Sequence, residues 1–454
     1  MDKQDKAMKI ISGTFDCEEY WRGEDLAKLP SVKDNQAKSI VTAMDELLFV
    51  FADSTKGQDI VITYYQMNKE HTGYLNDIGF RFKPRGIVQQ IEDSELAEGK
   101  NISRLLLERP ILFDIKSENS AKMEYCPFAI EDNTWAVCEK FGLDFHGPDF
   151  HVVRKVNSKV YSACMNQELN LFHDFSIVRS SQELQEKGAE YLETSSFLIK
   201  DIYGVSGKGN LLVSSPKILG NVVRYLSQQE RNGKRVRFIV EPFLEKEQDF
   251  SCQFYIDFHG NTEILSVQEI RNKNFAYEGT YAAKERLLEL LDEKGYFEII
   301  RKTAKKLYDD GYFGHVCIDS MVLRNGEIIP VVEINARRSM SLMKYRVDKY
   351  LAGYRLNCSF TYYSLSFHHN VEFGELLEKM EKGGLLYKPG KERGILPLSA
   401  NSLMINQKIQ RKEMGEKYVK GRFYVAVVYQ NHKQHEELKK EFTEFLKKNS
   451  FCVI

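Results

Sequence analysis

Residues 315–335, HVCIDSMVLRNGEIIPVVEIN, place the tightest constraint on what this chain can fold into. Two apolar runs meet at Asn325-Gly326, a dipeptide that closes antiparallel hairpins because glycine accepts a left-handed backbone without steric cost. The pair carries polar groups that an apolar sheet does not need: Asp319 on one strand, Glu333 and Asn335 on the other. Glu333 and Asn335 are two residues apart on a strand, so their oxygens face the same side. A carboxylate beside an amide oxygen suits magnesium, which takes hard oxygen ligands together with water and substrate phosphates. Whether Asp319 joins them depends on the loop. A two-residue loop pairs Asp319 with Val332 and turns it to the opposite face. A three-residue Arg324-Asn325-Gly326 loop pairs it with Val331 and makes the two acids diagonal neighbours. A metal site therefore requires an odd loop or a bulge. The plainer reading, a strand end emerging into solvent, explains the polar residues but not an acid within VVEIN.

A second stretch, FLIKDIYGVSGKGNLLV (197–213), resembles a phosphate loop but matches neither common pattern. A Walker loop needs G-x-x-x-x-G-K-[ST] with a helix directly after it; here Gly204 and Gly207 are too close, and Asn210 follows Gly209. The dinucleotide fingerprint lacks its third glycine, and LLV continues as a strand. The stretch is a glycine-rich turn between two strands. Its amides suit phosphates as a flap, aided by Lys200 on the incoming strand and by Lys208. A flexible hairpin tip with one exposed lysine is the alternative, and on these residues alone it is preferred. A third cluster, FIVEPFLEKEQDFS (238–251), leads an apolar strand into Glu241-Pro242-Phe243-Leu244. These residues suit an adenine edge, and Asp249 follows at a distance that suits a ribose hydroxyl, although acids after a strand are ordinarily solvated.

Around these clusters, SSPKILGNVVRYLSQQ (214–229) reads as a helix with a serine cap and a proline in its first turn. YFEIIRKTAKKLYDDG (296–311) reads as an amphipathic helix ending in glycine. DFSCQFYID and TEILSVQEI read as successive antiparallel strands. Upstream, ELLFVFA (46–52), DIVITYY (59–65) and RPILFDI (109–115) read as buried strands alternating with helices, an open α/β layer. Downstream, KERGILPLSANSL reads as a loop entering a small unit, followed by strand, helix and strand in GRFYVAVVYQ, NHKQHEELKKEFTEFLKKN and FCVI. Boundaries fall near 150 and 352, giving segments 1–150, 151–352 and 353–454.

A length of 454 residues with 43% hydrophobic and 28% charged residues describes an ordinary globular protein of two or three domains. A net charge of −1 gives no electrostatic footprint for nucleic acid or an anionic membrane. The eight cysteines are scattered without CxxC pairs, which argues against a zinc site and a disulfide framework. No apolar stretch reaches membrane-span or leader length, and Cys452 is third from the end where a prenylation box needs it fourth. The expected setting is the reducing cytoplasm.

In chain order the pieces are lysine, glycine flap, apolar hinge with an acid, aspartate, then E-x-N, and this order resembles the ATP-grasp superfamily over residues 151–345. VNSKVYSACMNQELNL is similar to the family's entry segment, with Lys159 at its first nucleotide lysine. Lys200 matches the second lysine, and Gly204, Ser206, Gly207, Lys208 and Gly209 the flap. Glu241, Phe243 and Leu244 match the adenine hinge. Asp249 stands one residue from the ribose acid, and Asp319, Glu333 and Asn335 match the magnesium triad. The resemblance implies an α/β pre-ATP-grasp domain, an ATP-grasp fold of two α+β subdomains, and a small C-terminal α+β unit similar to closing modules of natural-product peptide ligases. It also implies a chemistry: ATP with one or two Mg²⁺, or Mn²⁺, phosphorylates a substrate carboxylate, and an amine captures the acylphosphate. Arg337 is implied at the acylphosphate, and Arg338 as structural or at a substrate carboxylate. Arg271, Tyr277 and Gly279 are implied on the acceptor side, with a surface-strand role equally open for Arg271. One departure stands out: VCID has no basic residue immediately before Asp319, and His315 lies four residues upstream.

The function expected from the resemblance is an ADP-forming carboxylate–amine ligase acting on an amino acid or peptide. Loading of a carrier-protein thiol, phosphotransfer without ligation, and non-catalytic nucleotide binding are the alternatives. The full set of metal ligands counts against the last. The expected partners are a small carboxylate and an amine, with a carrier protein and a homodimer as further possibilities, and neither nucleic acid nor membrane.

Overall fold

The computed structural model describes residues 7–53, 55, 57–88, 99–109, 111–118, 122–171, 174–204, 209–273, 276–410 and 418–454. Their contacts divide the chain into two units. One comprises Met1–Cys17, Asp34–His146 and Leu342–Ile454; the other comprises Glu18–Lys33 and Gly147–Ser341. The first unit thus draws on both the segment expected at 1–150 and the segment expected at 353–454. The second adds a stretch of the N-terminal segment to the middle one.

The first unit opens with a parallel sheet of β1 (Met8–Ser12), β2 (Ile60–Tyr65), β3 (Lys83–Val88) and β4 (Met123–Pro127), in the order β3-β2-β1-β4. Parallel strands are covered on both faces, which is why β2 reads IVITYY without a polar alternation and is buried throughout. Ile10, Ile62, Leu106, Leu112 and Phe141 share its core. Two expected strands are helices. ELLFVFA lies in the 3₁₀ helix Ala43–Phe51, every residue of which is buried, and RPILFDI lies largely in the helix Ile111–Glu118. A short, largely apolar run has no period that separates strand from buried helix, and in both cases tertiary packing decided the outcome.

The second unit holds two antiparallel sheets. β5 (Ser176–Val178), β6 (Phe197–Asp201), β7 (Asn210–Val213) and β8 (Phe238–Pro242) run in the order β5-β8-β6-β7. The helix Pro216–Arg231 covers them. Its Ser215 cap accepts from the Ile218 amide, and Leu219, Val222 and Leu226 form the i, i+3, i+7 stripe that meets Phe197 and Phe238. The second sheet is ordered β13-β12-β9-β10-β11, with β9 (Lys246–Ile256), β10 (Thr262–Lys273), β11 (Ala276–Ala282), β12 (Gly314–Leu323) and β13 (Ile328–Asn335). Residues 18–33 join this unit as a strap. Leu26 bridges Arg235 in parallel, the Ala27 amide donates to the Arg235 carbonyl (2.9 Å), and Ala27 and Leu29 enter the core around Phe197.

The first unit resumes with β14 (Asn357–Phe367), β15 (Gly394–Pro397), β16 (Val419–Tyr429) and β17 (Cys452–Val453). β16 pairs with β14 and β15, and β17 with β14. The stretch read as a loop, ILPLSANSL, holds β15 and the start of a helix, Asn401–Gln410. Its N-terminal amides explain the union of the two chain ends. The Glu46 carboxylate, fully buried, accepts from the amides of Ala400 (3.0 Å) and Ser402 (2.9 Å), groups that a helix start leaves without backbone partners.

Candidate active site

The acids meet through two backbone irregularities. Leu323 pairs with Glu327 around Arg324-Asn325-Gly326, and Gly326 has φ +81°, so the loop is the three-residue form with a left-handed glycine. The register then shifts between Met321, which pairs with Ile329, and Asp319, which pairs with Glu333. Two additional residues of β13 are accommodated there, at Pro330, which has no amide to give a ladder. Its carbonyl accepts instead from the Ser320 hydroxyl (2.7 Å). A shift of two preserves side-chain parity. Asp319 and Glu333 therefore face each other directly, with Asn335 donating to Asp319 (3.0 Å). Enclosure, and next the facing Glu333 carboxylate, raise Asp319 to about 7, against the pull of the Arg337 guanidinium.

Opposite the acids stand two buried lysines. Lys159, in the first turn of the helix Lys159–Glu168, donates to Glu333 (2.5 Å) and to the Gly204 carbonyl (3.1 Å). Lys200 on β6 pairs with Glu241 on β8, and both are buried. Asp249 pairs with Lys246 and accepts from Asn272 (2.8 Å). Arg337 donates to Asn335 (3.2 Å) and to Glu18 (2.7 Å). Every anion in this group thus already has a cation or donor beside it.

These residues line one cavity of about 280 Å³ in the second unit. Lys200, Gly204, Glu241, Phe243, Leu244, Asp249, Tyr277, Asp319, Glu333, Asn335 and Arg337, all singled out in the sequence, lie on its wall. Lys159 reaches the same place through Glu333. The glycines at the loop's root have a steric reason. A Cβ on Gly204 would stand 2.7 Å from the Cα of Gly209, and the converse distance is also 2.7 Å. Ser206, Gly207 and Lys208 lie outside the described residues. Arg271, Gly279 and Arg338 are not on the cavity wall. Strand parity explains the first two: Ile270 and Asn272 face the cavity, whereas Arg271, paired with Gly279, turns away and stacks over the Tyr281 ring at 4.2 Å. The sequence reading missed Asn272, Asn210 and Met321, which line the cavity, and Glu18, which holds Arg337. The i, i+2 alternation in EIRNK separated Asn272 from Arg271, but nothing local said which of them faced inward.

The donor set fits a hard divalent cation. Among the described residues no three His, Cys, Asp or Glu side chains gather to hold a metal; beside Asp319 and Glu333 stands Asn335, whose amide nitrogen donates to Asp319 and whose oxygen accepts from Arg337. A cation there would relieve the repulsion between the two carboxylates. Among the same residues no helix is long and apolar enough to cross a membrane.

No protein-family model matches the sequence. A curated relative, the [butirosin acyl-carrier protein]–L-glutamate ligase of Niallia circulans, is 25% identical over 314 residues, covering 68% of this chain and 67% of that protein. Among solved structures, the N5-carboxyaminoimidazole synthase of Aspergillus clavatus, in complex with ADP and 5-aminoimidazole ribonucleotide, superposes with a TM-score of 0.52. It is 10% identical, and the match covers 97% of this chain and 99% of that one. The biotin carboxylase domain of Hydrogenobacter thermophilus 2-oxoglutarate carboxylase, holding MgADP, gives 0.52 at 15% identity over 93% of this chain and 86% of that one. The chain shares the fold common to these structures, and it is the ATP-grasp fold that the order of lysines, glycine loop and acids resembled.

Proposed function

We propose that the protein is an ATP-dependent, ADP-forming ligase that activates a carboxylate as an acylphosphate and passes the acyl group to a nucleophile. The observation that carries this reading is Asp319 lying directly opposite Glu333, with Asn335 beside them and two buried lysines across one cavity. Lys159 and Lys200, with the loop from Gly204 to Gly209, hold the phosphates. Glu241, Phe243 and Leu244 meet the adenine, and Asp249 with Asn272 the ribose. Asp319, Glu333 and Asn335 hold Mg²⁺, which, when bound, neutralises phosphate oxygens and makes the terminal phosphorus more electrophilic. Arg337 binds the oxygens on which charge grows, and Tyr277 stands on the acceptor side. A carboxylate oxygen attacks the γ-phosphorus as the bond to ADP breaks. The nucleophile then adds to the acyl carbon, loses its proton, and expels inorganic phosphate. Arg271, Gly279 and Arg338 stand off the cavity wall, and this reading assigns them no contact with the nucleotide.

The nucleophile is an amine, or the thiol of a carrier protein. The second reading is favoured by the relative whose name specifies an acyl-carrier protein. The three-part division at 150 and 352 remains part of the proposal as a division of labour, with the middle segment carrying the chemistry. A cytoplasmic setting suits a chain whose described cysteines are all free thiols.

The test is incubation with ATP, Mg²⁺ and a panel of amino acids and other carboxylates, with and without hydroxylamine. ADP release with hydroxamate formation supports the acylphosphate. A stable phosphorylated product without hydroxamate would identify a kinase instead. Glu333→Ala is expected to lose ADP formation, and turnover at the wild-type rate would sink the assignment of the three ligands.

A further inference from the structure

The strap of the second unit opens within a short helix, Cys17–Trp21; Glu18 on that helix and Arg22 just after it reach two sides of the cavity. Glu18 accepts from Arg337 through both Nε (2.7 Å) and Nη2 (2.5 Å), and the two side chains are only 6% and 12% exposed. Arg22, immediately after the helix, pairs with Asp201 and donates to the Ala27 carbonyl; these two charges are 7% and 9% exposed. Asp201 ends β6 at the root of the glycine loop. Its amide donates to the Gly209 carbonyl (2.7 Å), and its carboxylate accepts from the Tyr203 amide (3.2 Å), so it ties both ends of that loop. Behind them the strap is fixed by the Arg235 amide on the Asp25 carbonyl (2.8 Å), by Lys234 on the Glu24 carbonyl (2.7 Å), and by the burial of Ala27 and Leu29.

We propose that Glu18 and Arg22 are positioning residues for the reaction proposed above: Glu18 sets Arg337, Arg22 sets the loop root through Asp201, and the short segment of chain between them ties the two together. The physical case is strongest for Glu18. A buried guanidinium near Asp319 and Glu333 has carboxylates to choose from, and a fork held on Glu18 keeps its Nη2 on Asn335 (3.2 Å). Neither residue lines the cavity, so each acts through its partner. This inference rests on the role given to Arg337 under the proposed function.

The test compares Glu18→Gln, Arg22→Gln, Arg337→Lys and the exposed neighbour variant Glu19→Gln in the full-length chain. Four quantities are measured: kcat and KM for ATP, MgADP affinity by calorimetry, and Tm. Glu18→Gln keeps the length and one acceptor but removes the charge. It is expected to lower kcat about 10- to 100-fold while leaving KM and MgADP affinity within about twofold. Arg22→Gln is expected to weaken MgADP binding by about 10-fold, because the loop root is released. Glu19→Gln is expected to match the wild type. If Glu18→Gln does not fold, Glu18→Asp, which keeps the charge but withdraws it by one methylene, is expected to show the same kcat-selective loss. A purely structural role would lower Tm without this split between kcat and nucleotide affinity, and that outcome overturns the proposal, as does a wild-type kcat in Glu18→Gln. Wild-type turnover in Arg337→Lys, or no ATP turnover by the wild type, would instead overturn the reading of the active site, and the MgADP measurement would still judge Arg22.

Discussion

Glu333→Gln separates the two partners of one carboxylate. In the structure Glu333 neutralises Lys159, whose side chain is 6% exposed, and faces Asp319 across the hairpin. A nucleotide phosphate that takes Lys159 without a metal must first displace this carboxylate. A hydrogen bond between charged groups is worth about 1.5–3 kcal/mol. Glu333 is 26% exposed, which places its bond at the lower end of that range, and glutamine retains an acceptor. Removing the charge should therefore return about 1.4 kcal/mol to a metal-free phosphate, or about tenfold in affinity. With magnesium present the same substitution deletes a ligand, so the enhancement that magnesium gives the wild type should shrink. The assay is calorimetric titration of ADP in EDTA and again in excess magnesium. Tighter binding in EDTA with a reduced magnesium effect is the expected pair. ADP binding to the variant in EDTA no tighter than to the wild type would refute the argument that Lys159 is held back by Glu333.

Two further outcomes concern stability. Burial raises Glu46 from 4.5 to about 7, so the folded state takes up its proton first and stability rises as pH falls from about 7 to about 4.5. Burial lowers His71 from 6.5 to about 4, so the unfolded state protonates first and stability falls as pH drops through that interval. The two groups lie 4.0 Å apart and oppose each other where the intervals overlap. His71→Gln should unmask the Glu46 slope, gaining on the order of 1–2 kcal/mol relative to the wild type's own change between pH 6.5 and 5. Denaturant unfolding across that range checks it, and parallel slopes in the two proteins would rule it out. At the hairpin loop, Gly326→Val forces a β-branched residue to φ +81° and should cost about 1–2 kcal/mol, read as a lower Tm.

Much of the second unit could be read from local chemistry. Asn325-Gly326 marked a hairpin, and the requirement that Asp319 share a face with Glu333 demanded an odd loop or a bulge; the structure has both. Pro330 was the available signal for the bulge, since a proline within a paired strand must interrupt the ladder. The helices at 216–231 and 296–309 followed from period and caps. What was not legible depended on distant partners. ELLFVFA and RPILFDI are apolar enough for strand or helix, and their neighbours chose helix. Glu18 and Arg22 sit in CEEYWR, which reads as any exposed helix start. Their partners are 319 and 179 residues away in the sequence. Side-chain parity within a strand was readable at Arg271 and Asn272, but the identity of the buried face was not.

The carboxylate of Glu46 has a consequence for the order in which this protein is made. Its partners, the amides of Ala400 and Ser402, are 354 and 356 residues later in the chain. During synthesis the first unit therefore emerges with an acid destined for a fully buried position and nothing yet made to receive it. The second unit is complete once Ser341 has appeared, because the strap that belongs to it precedes the rest of that unit in the chain. The middle of the sequence can therefore be completed as a unit before the ends are, reversing the usual precedence of N-terminal segments. Contacts of such high sequence separation form slowly. Until the helix at 401 arrives, the cluster of Ile40, Ala43, Tyr64, Tyr65, Val88 and Leu105 lacks Ile405, while the core around Ile10, Ile62 and Phe141 needs only residues before 146.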